Sequence, residues 1–103
     1  MQNKVLSLLG LAARAGRIQS GEFAAEKAVK GANAFLVIVA EDASDNTKKH
    51  FKDMCSYRNV PYYVYGTKEE LGRCIGKESR ASIALTDEGF SKGLKSYLRE
   101  EKI

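Results

Sequence analysis

Two cysteines, one proline and one histidine are all that this chain of 103 residues holds of the residue types that staple, interrupt and most often catalyse. Cys55 and Cys74 stand apart and form no C-x-x-C pair, so both are expected as reduced thiols, with Cys55 packed inward beside Phe51 and Met54. There is no secretory leader, and no apolar run approaches the roughly 20 residues of a membrane-spanning helix. A cytoplasmic protein without a membrane partner is expected. Phosphate loops are missing too. No G-x-G-x-x-G follows a strand and no G-x-x-x-x-G-K-[ST] occurs, which leaves a dinucleotide or a nucleoside triphosphate without its cradle. Cys55 cannot act as a nucleophile for His50, because five residues on a helix set them roughly 140° apart. His50 can face Asp53 at a spacing of three, as an exposed pair. Glu41, Asp42, His50 and Asp53 fall into no recognised acid, base or metal-ligand spacing. No enzymatic activity, metal or cofactor is therefore expected.

What is present is a globular balance, with 44% hydrophobic and 29% charged residues. About 100 residues suffice for one compact domain with one core, and no linker, repeat or low-complexity segment divides residues 1–103. Seventeen basic against 13 acidic side chains leave a formal charge of +4, a surplus that favours polyanions only where it is clustered.

Helices and strands alternate along the chain. The first helix spans about Lys4 to Ala15, with Val5, Leu8, Leu9 and Ala12 on its inner face and Asn3, Ser7, Gly10 and Arg14 outside; Gly16 ends it. Arg17 to Gln19 is a short strand that can pair antiparallel at an edge. A second helix opens at Ser20-Gly21 and buries Ala25, Ala28, Val29 and Ala32. Phe35 to Ala40 is a continuous apolar run, as befits a central strand covered on both faces. A third helix starts near Ser44 and ends before Asn59-Val60-Pro61. The strand Tyr62 to Tyr65 follows, then a short helix opened by a Thr67/Glu70 capping box and stopped at Gly76. Ala81 to Leu85 is the last strand. Thr86 caps the last helix, which turns Phe90, Leu94, Tyr97 and Leu98 inward. The pattern predicts an α/β fold, a three-layer α/β/α sandwich.

The stretch LGLAARAGRIQSGEFAAEK suggests an anion site. Ser20 and Gly21 leave the first-turn amides of the second helix uncovered, at the positive end of its dipole. Arg14 and Arg17 flank that opening in sequence. Phe23, Lys27 and Lys30 recur at four and three residues on the outer face, a pattern suited to stacking an unpaired base with phosphates held alongside. Phe23 can equally tuck under the first helix as a hydrophobic staple. Glu41 and Asp42, just beyond the central strand, could accept from guanine or ribose, hold Mg²⁺, or favour the next helix dipole and pair with Arg17 or Lys48. The segment from Gly76 through Lys77, Ser79 and Arg80 reads as a basic, mobile lip. Lys48, Lys49 and Lys52 read as a solvated helix face. A protein partner would instead use Tyr62, Tyr63 and Tyr65 on an edge strand.

Five motifs in order, LGLAARAG, SGE, LVIVAEDAS, VPYYVYGTKEELGRCIGK and ALTDEGF, make the whole chain resemble a bacterial branch of the kink-turn-binding ribosomal protein family of L7Ae, L30e, S12e and Gadd type. The resemblance implies a four-stranded mixed sheet in the α/β/α sandwich and a non-enzymatic RNA-binding protein, with ribosomal or other structured RNA as partner and the ribosome as a candidate assembly; a monomeric state is expected. It implies RNA contacts at Gly21 to Lys27, at Glu41-Asp42 and at Lys77 to Arg80, the same places the residues themselves single out. One departure stands out. The kink-turn binders carry Gly-Thr-Asn-Glu at the helix start, and their Asn and Glu bond the sheared G·A pairs; here Glu22, Phe23 and Ala24 follow Gly21, with Lys27 retained. Losing that pair removes several hydrogen bonds of about 1 kcal/mol or more each in a desolvated site.

Overall fold

The computed structural model describes residues 3–101, so the domain expected over residues 1–103 runs past the described residues at both ends. Asn3 opens helix α1 (Lys4–Arg14) by accepting from the Leu6 amide at 3.0 Å, and Gly16, at φ +73°, lets the chain leave it. Strand β1 (Ile18–Ser20) leads into α2 (Glu22–Lys30) and β2 (Leu36–Val39), followed by α3 (Asp45–Arg58) and β3 (Tyr62–Val64). Helix α4 (Lys68–Cys74) starts at the expected box, in which Thr67 Oγ1 accepts from the Glu70 amide and the Glu70 carboxylate accepts from the Thr67 amide. Strand β4 (Ser82–Leu85) and α5 (Glu88–Glu101) follow.

The sheet order is β1-β4-β2-β3, with β4 antiparallel to both neighbours and β3 parallel to β2. It is the mixed four-stranded sheet of an α/β/α sandwich. Helices α2 and α3 cover one face, and α1, α4 and α5 form the other layer. Every residue of β2 and β4 is buried, which is why β2 reads as an unbroken apolar run and β4 is apolar from Ile83 on, after a buried Ser82. Phe51, Leu9, Leu36, Ile38, Leu71 and Ile83 are among the largest side chains with no solvent access. Because β1, β2 and β3 run together and β4 runs against them, Ser20-Gly21, Ala40-Glu41, Tyr65-Gly66 and Arg80-Ala81 all arrive at one rim of the sheet.

Several expectations need correction. Gly10 is buried rather than outward, because α1 packs on α4: a Cβ there would lie 2.9 Å from the Cys74 carbonyl oxygen. Ala32 is exposed at φ +60°, since α2 ends at Lys30 before the apolar stripe does. Asp87, not Thr86, opens α5, its Oδ2 accepting from the Phe90 amide at 2.9 Å. Phe35 precedes β2 and is exposed. His50 bonds Glu26 on α2 at 2.9 Å, and Asp53 pairs with Lys49 instead.

Candidate functional site

Gly21 is the residue on which the site turns. Its φ of +93° and ψ of 158° swing the chain from β1 into α2 in a conformation that side chains avoid, and nothing lies within 4 Å of where a Cβ would stand. No side chain caps the helix, so its first-turn amides have no capping acceptor. The Gly21 amide donates to the Ser82 carbonyl at 2.9 Å, which ties the helix start to β4.

The basic lip is docked beside this opening. Lys77 donates its amide to the Gly72 carbonyl at 2.8 Å, and Arg80 donates its amide to the Lys68 carbonyl at 3.0 Å. Arg80 Nε reaches Ser20 Oγ at 3.3 Å, across 60 residues of sequence. Ser20 to Ala24 and Ser79 to Ala81 thus enclose a shallow groove of about 410 Å³. Glu41 and Asp42 lie on the same rim. The Glu41 amide donates to the Gly66 carbonyl at 2.7 Å, while Asp42 Oδ1 accepts from the Lys68 amide at 2.8 Å and so serves the first turn of α4 rather than Arg17 or Lys48. Lys68 joins two of the loops, donating to one and accepting from the other.

A larger groove of about 670 Å³ runs down the flank of α2. Arg17, Gln19, Phe23, Lys27 and Phe35 are among its walls, and no carboxylate is. Phe23 is 81% exposed, which removes the staple under α1. Arg17 and Gly21 lie at opposite ends of β1, roughly 13 Å apart at ~3.3 Å per strand residue, so Arg17 stands on the flank and not at the helix opening. Arg14 is exposed on α1, in the opposite layer, and lines neither groove. Lys30 is exposed, but its ammonium pairs with Glu26 at 2.7 Å and it does not line the flank beside Lys27. Glu22, Lys77 and Ser79 are exposed and Arg80 is half-buried.

Gln19, Asn33, Phe35 and Thr86 line the flank without having been singled out. Gln19 was legible, since strand alternation turns it outward from Ile18 and Ser20. Phe35 gave no signal, because an apolar residue before an apolar strand reads as more strand. The tyrosines Tyr62, Tyr63 and Tyr65 make no exposed apolar patch. All three are half-buried against the core, with the Tyr62 hydroxyl donating to the Lys48 carbonyl and the Tyr65 hydroxyl accepting from Asn3 Nδ2. Among the described residues no helix is long and apolar enough to cross a membrane, and no three His, Cys, Asp or Glu side chains gather around a point.

Comparison with known proteins follows the same lines. Residues 3–95 match the family described as ribosomal protein L7Ae/L30e/S12e/Gadd45. The RNA-binding protein YlxQ of Bacillus subtilis (strain 168) is 48% identical over 91 residues, covering 88% of this chain and 91% of that one. The protein of the same name from Enterococcus faecium is 38% identical over 97 residues, covering 94% and 93%. A solved structure of a protein of unknown function from Bacillus halodurans C superposes with a TM-score of 0.92 at 43% identity, over 95% of this chain and 99% of that one. The Giardia lamblia 15.5kD RNA binding protein shares the fold, with a TM-score of 0.80 at 24% identity over 99% of this chain and 91% of that one.

Proposed function

The chain belongs to the ribosomal protein L7Ae/L30e/S12e/Gadd45 family, and from that premise we propose that it is a non-enzymatic RNA-binding protein that docks a structured RNA on the start of α2 and the loops beside it. The observation that carries this reading is the uncapped, glycine-led start of α2, flanked by an open groove that holds Arg17, Lys27 and an 81% exposed Phe23 and no acid. Both bacterial relatives are named as RNA-binding proteins. In the proposed complex the first-turn amides and Arg80 meet phosphate at the rim, Lys27 and Arg17 neutralise the backbone along the flank, and Phe23 stacks on an unpaired base. Glu22, which repels phosphate, accepts from a guanine edge. With Phe23 and Ala24 where kink-turn binders carry Asn and Glu, the favoured element is a kinked or looped RNA other than the standard kink-turn. The protein acts in the cytoplasm as a monomeric domain over residues 1–103, with the ribosome a candidate assembly, and needs no metal or cofactor.

Two substitutions test this. Lys27→Ala should weaken binding about equally for all RNAs and reduce the slope of log affinity against log salt by about one. Phe23→Ala should reorder the preference among RNAs and cost about 1–3 kcal/mol for the preferred one. Unchanged affinity in both variants would remove this surface from consideration.

A further inference from the structure

A second groove, of about 680 Å³, opens on the far rim of the sheet, where α2 and α3 end and β2 and β3 begin. Its walls include Ala32, Phe35, Tyr57, Arg58, Asn59 and Pro61, and it shares Ala32 and Phe35 with the flank of α2. The two grooves therefore adjoin along these residues and together form an extended channel. Neither is lined by an aspartate or a glutamate, while Arg17, Lys27 and Arg58 stand along it. Three outward-facing aromatic rings mark its length: Phe23 at 81%, Phe35 at 44% and Tyr57 at 83% exposure. Among the described residues these are the three exposed phenylalanine or tyrosine side chains, and they share one track.

The chemistry changes along the channel. At the far rim two helices end, so their last carbonyls make that region a poor host for phosphate. Arg58 is already engaged there: Nη1 donates to the Lys30 carbonyl at 3.4 Å, and the guanidinium lies 5.8 Å from the centre of the Tyr57 ring. What the groove offers is aromatic and guanidinium surface on which planar, neutral groups stack. The lysine and arginine that can hold a backbone, Lys27 and Arg17, lie on the adjoining flank.

We infer that the channel carries a single-stranded RNA segment contiguous with the RNA docked on α2, its unpaired bases stacked on Phe35 and Tyr57 at the far rim. The inference takes its partner class from the reading above, and its test separates the two. Affinities would be measured for a structured hairpin, the same hairpin with a short unpaired adenosine tail at either end, and the free oligoadenosine, each with the parent protein, Tyr57→Ala and Lys27→Ala. A tail should tighten binding about tenfold. Tyr57→Ala should abolish that gain without changing the affinity for the untailed hairpin, whereas Lys27→Ala should weaken both. Equal affinity for tailed and untailed RNA, or a tail gain that survives Tyr57→Ala, overturns the inference. Should no hairpin bind, docking on α2 fails, and the free oligoadenosine decides the channel: binding lost in Tyr57→Ala supports it and absent binding overturns it. Sedimentation as a dimer that Tyr57→Ala renders monomeric would assign the groove to a second copy of the chain and overturn it as well.

Discussion

Replacing Gly72 by alanine should unseat the lip at the proposed RNA rim. A Cβ at Gly72 would stand 1.6 Å from the Glu78 carbonyl oxygen, 2.5 Å from the Glu78 carbonyl carbon and 2.9 Å from Ser79 Cα, all backbone atoms with no flexible end to swing aside. Ordinary contact begins at 3.4 Å, so the lip must retreat by roughly 2 Å. Three hydrogen bonds stand to break: Lys77 to the Gly72 carbonyl, Arg80 to the Lys68 carbonyl and Arg80 Nε to Ser20 Oγ. Overpacking of this kind costs about 1–3 kcal/mol, the lost bonds about 1 kcal/mol each, and alanine in a helix returns up to about 1 kcal/mol. A net loss of about 3–5 kcal/mol follows, equivalent to a fall in Tm of roughly 12–40 °C for a domain this size. Urea titration followed by circular dichroism would measure it, with the m-value reporting whether the folded state stays compact. If Gly72→Ala matches the parent within about 0.5 kcal/mol, the close approach of α4 to the lip is not what holds Arg80 in place.

Two further predictions concern titration. The Lys30 ammonium and then the His50 ring donate to Glu26 and hold its carboxyl below its ordinary 4.5, against a smaller opposing desolvation. A carboxyl lowered on folding stabilises the fold above its unfolded value, and that contribution is lost as pH falls from about 4.5 through the lowered pKa. Glu26→Gln should therefore flatten the stability curve in that acid window, and an unaltered acid limb would mean the Lys30–Glu26–His50 cluster is not formed in solution. Burial pushes the thiols of Cys55 and Cys74 up to about 11, with the Glu70 carboxylate adding to the effect at Cys74. At pH 8 both should react slowly with a disulfide reagent in the folded protein and rapidly in urea; labelling of the native protein at the rate of a free thiol would contradict that burial.

Local signals were legible and long-range ones were not. The Thr67/Glu70 box, the start of α3 near Ser44 and the Gly16 exit are legible directly, because each depends on atoms within a few residues. The apolar periodicity of α2 continues past Gly31 to Ala32 although the helix does not. A spacing of three lets His50 face Asp53 on its own helix, whereas its partner in the structure is Glu26 on another, 24 residues away. The three loops of the rim are each legible in the sequence. Their meeting depends on β4 running against its neighbours, which no single segment encodes. Arg17 flanks the helix opening in sequence, and the extended backbone of β1 puts it and Gly21 at opposite ends.

The most direct test of the central claim is a titration of the protein against a kink-turn RNA, the same RNA with its G·A pairs replaced, and an unrelated hairpin, each at low and at physiological salt. Salt-sensitive binding that does not depend on the G·A pairs is expected, because the scaffold and Lys27 are kept while Phe23 and Ala24 supply none of the hydrogen bonds that read those pairs. Tight binding to the intact kink alone would show that the target is unchanged despite that substitution, and no binding to any of the three would contradict the RNA-binding account.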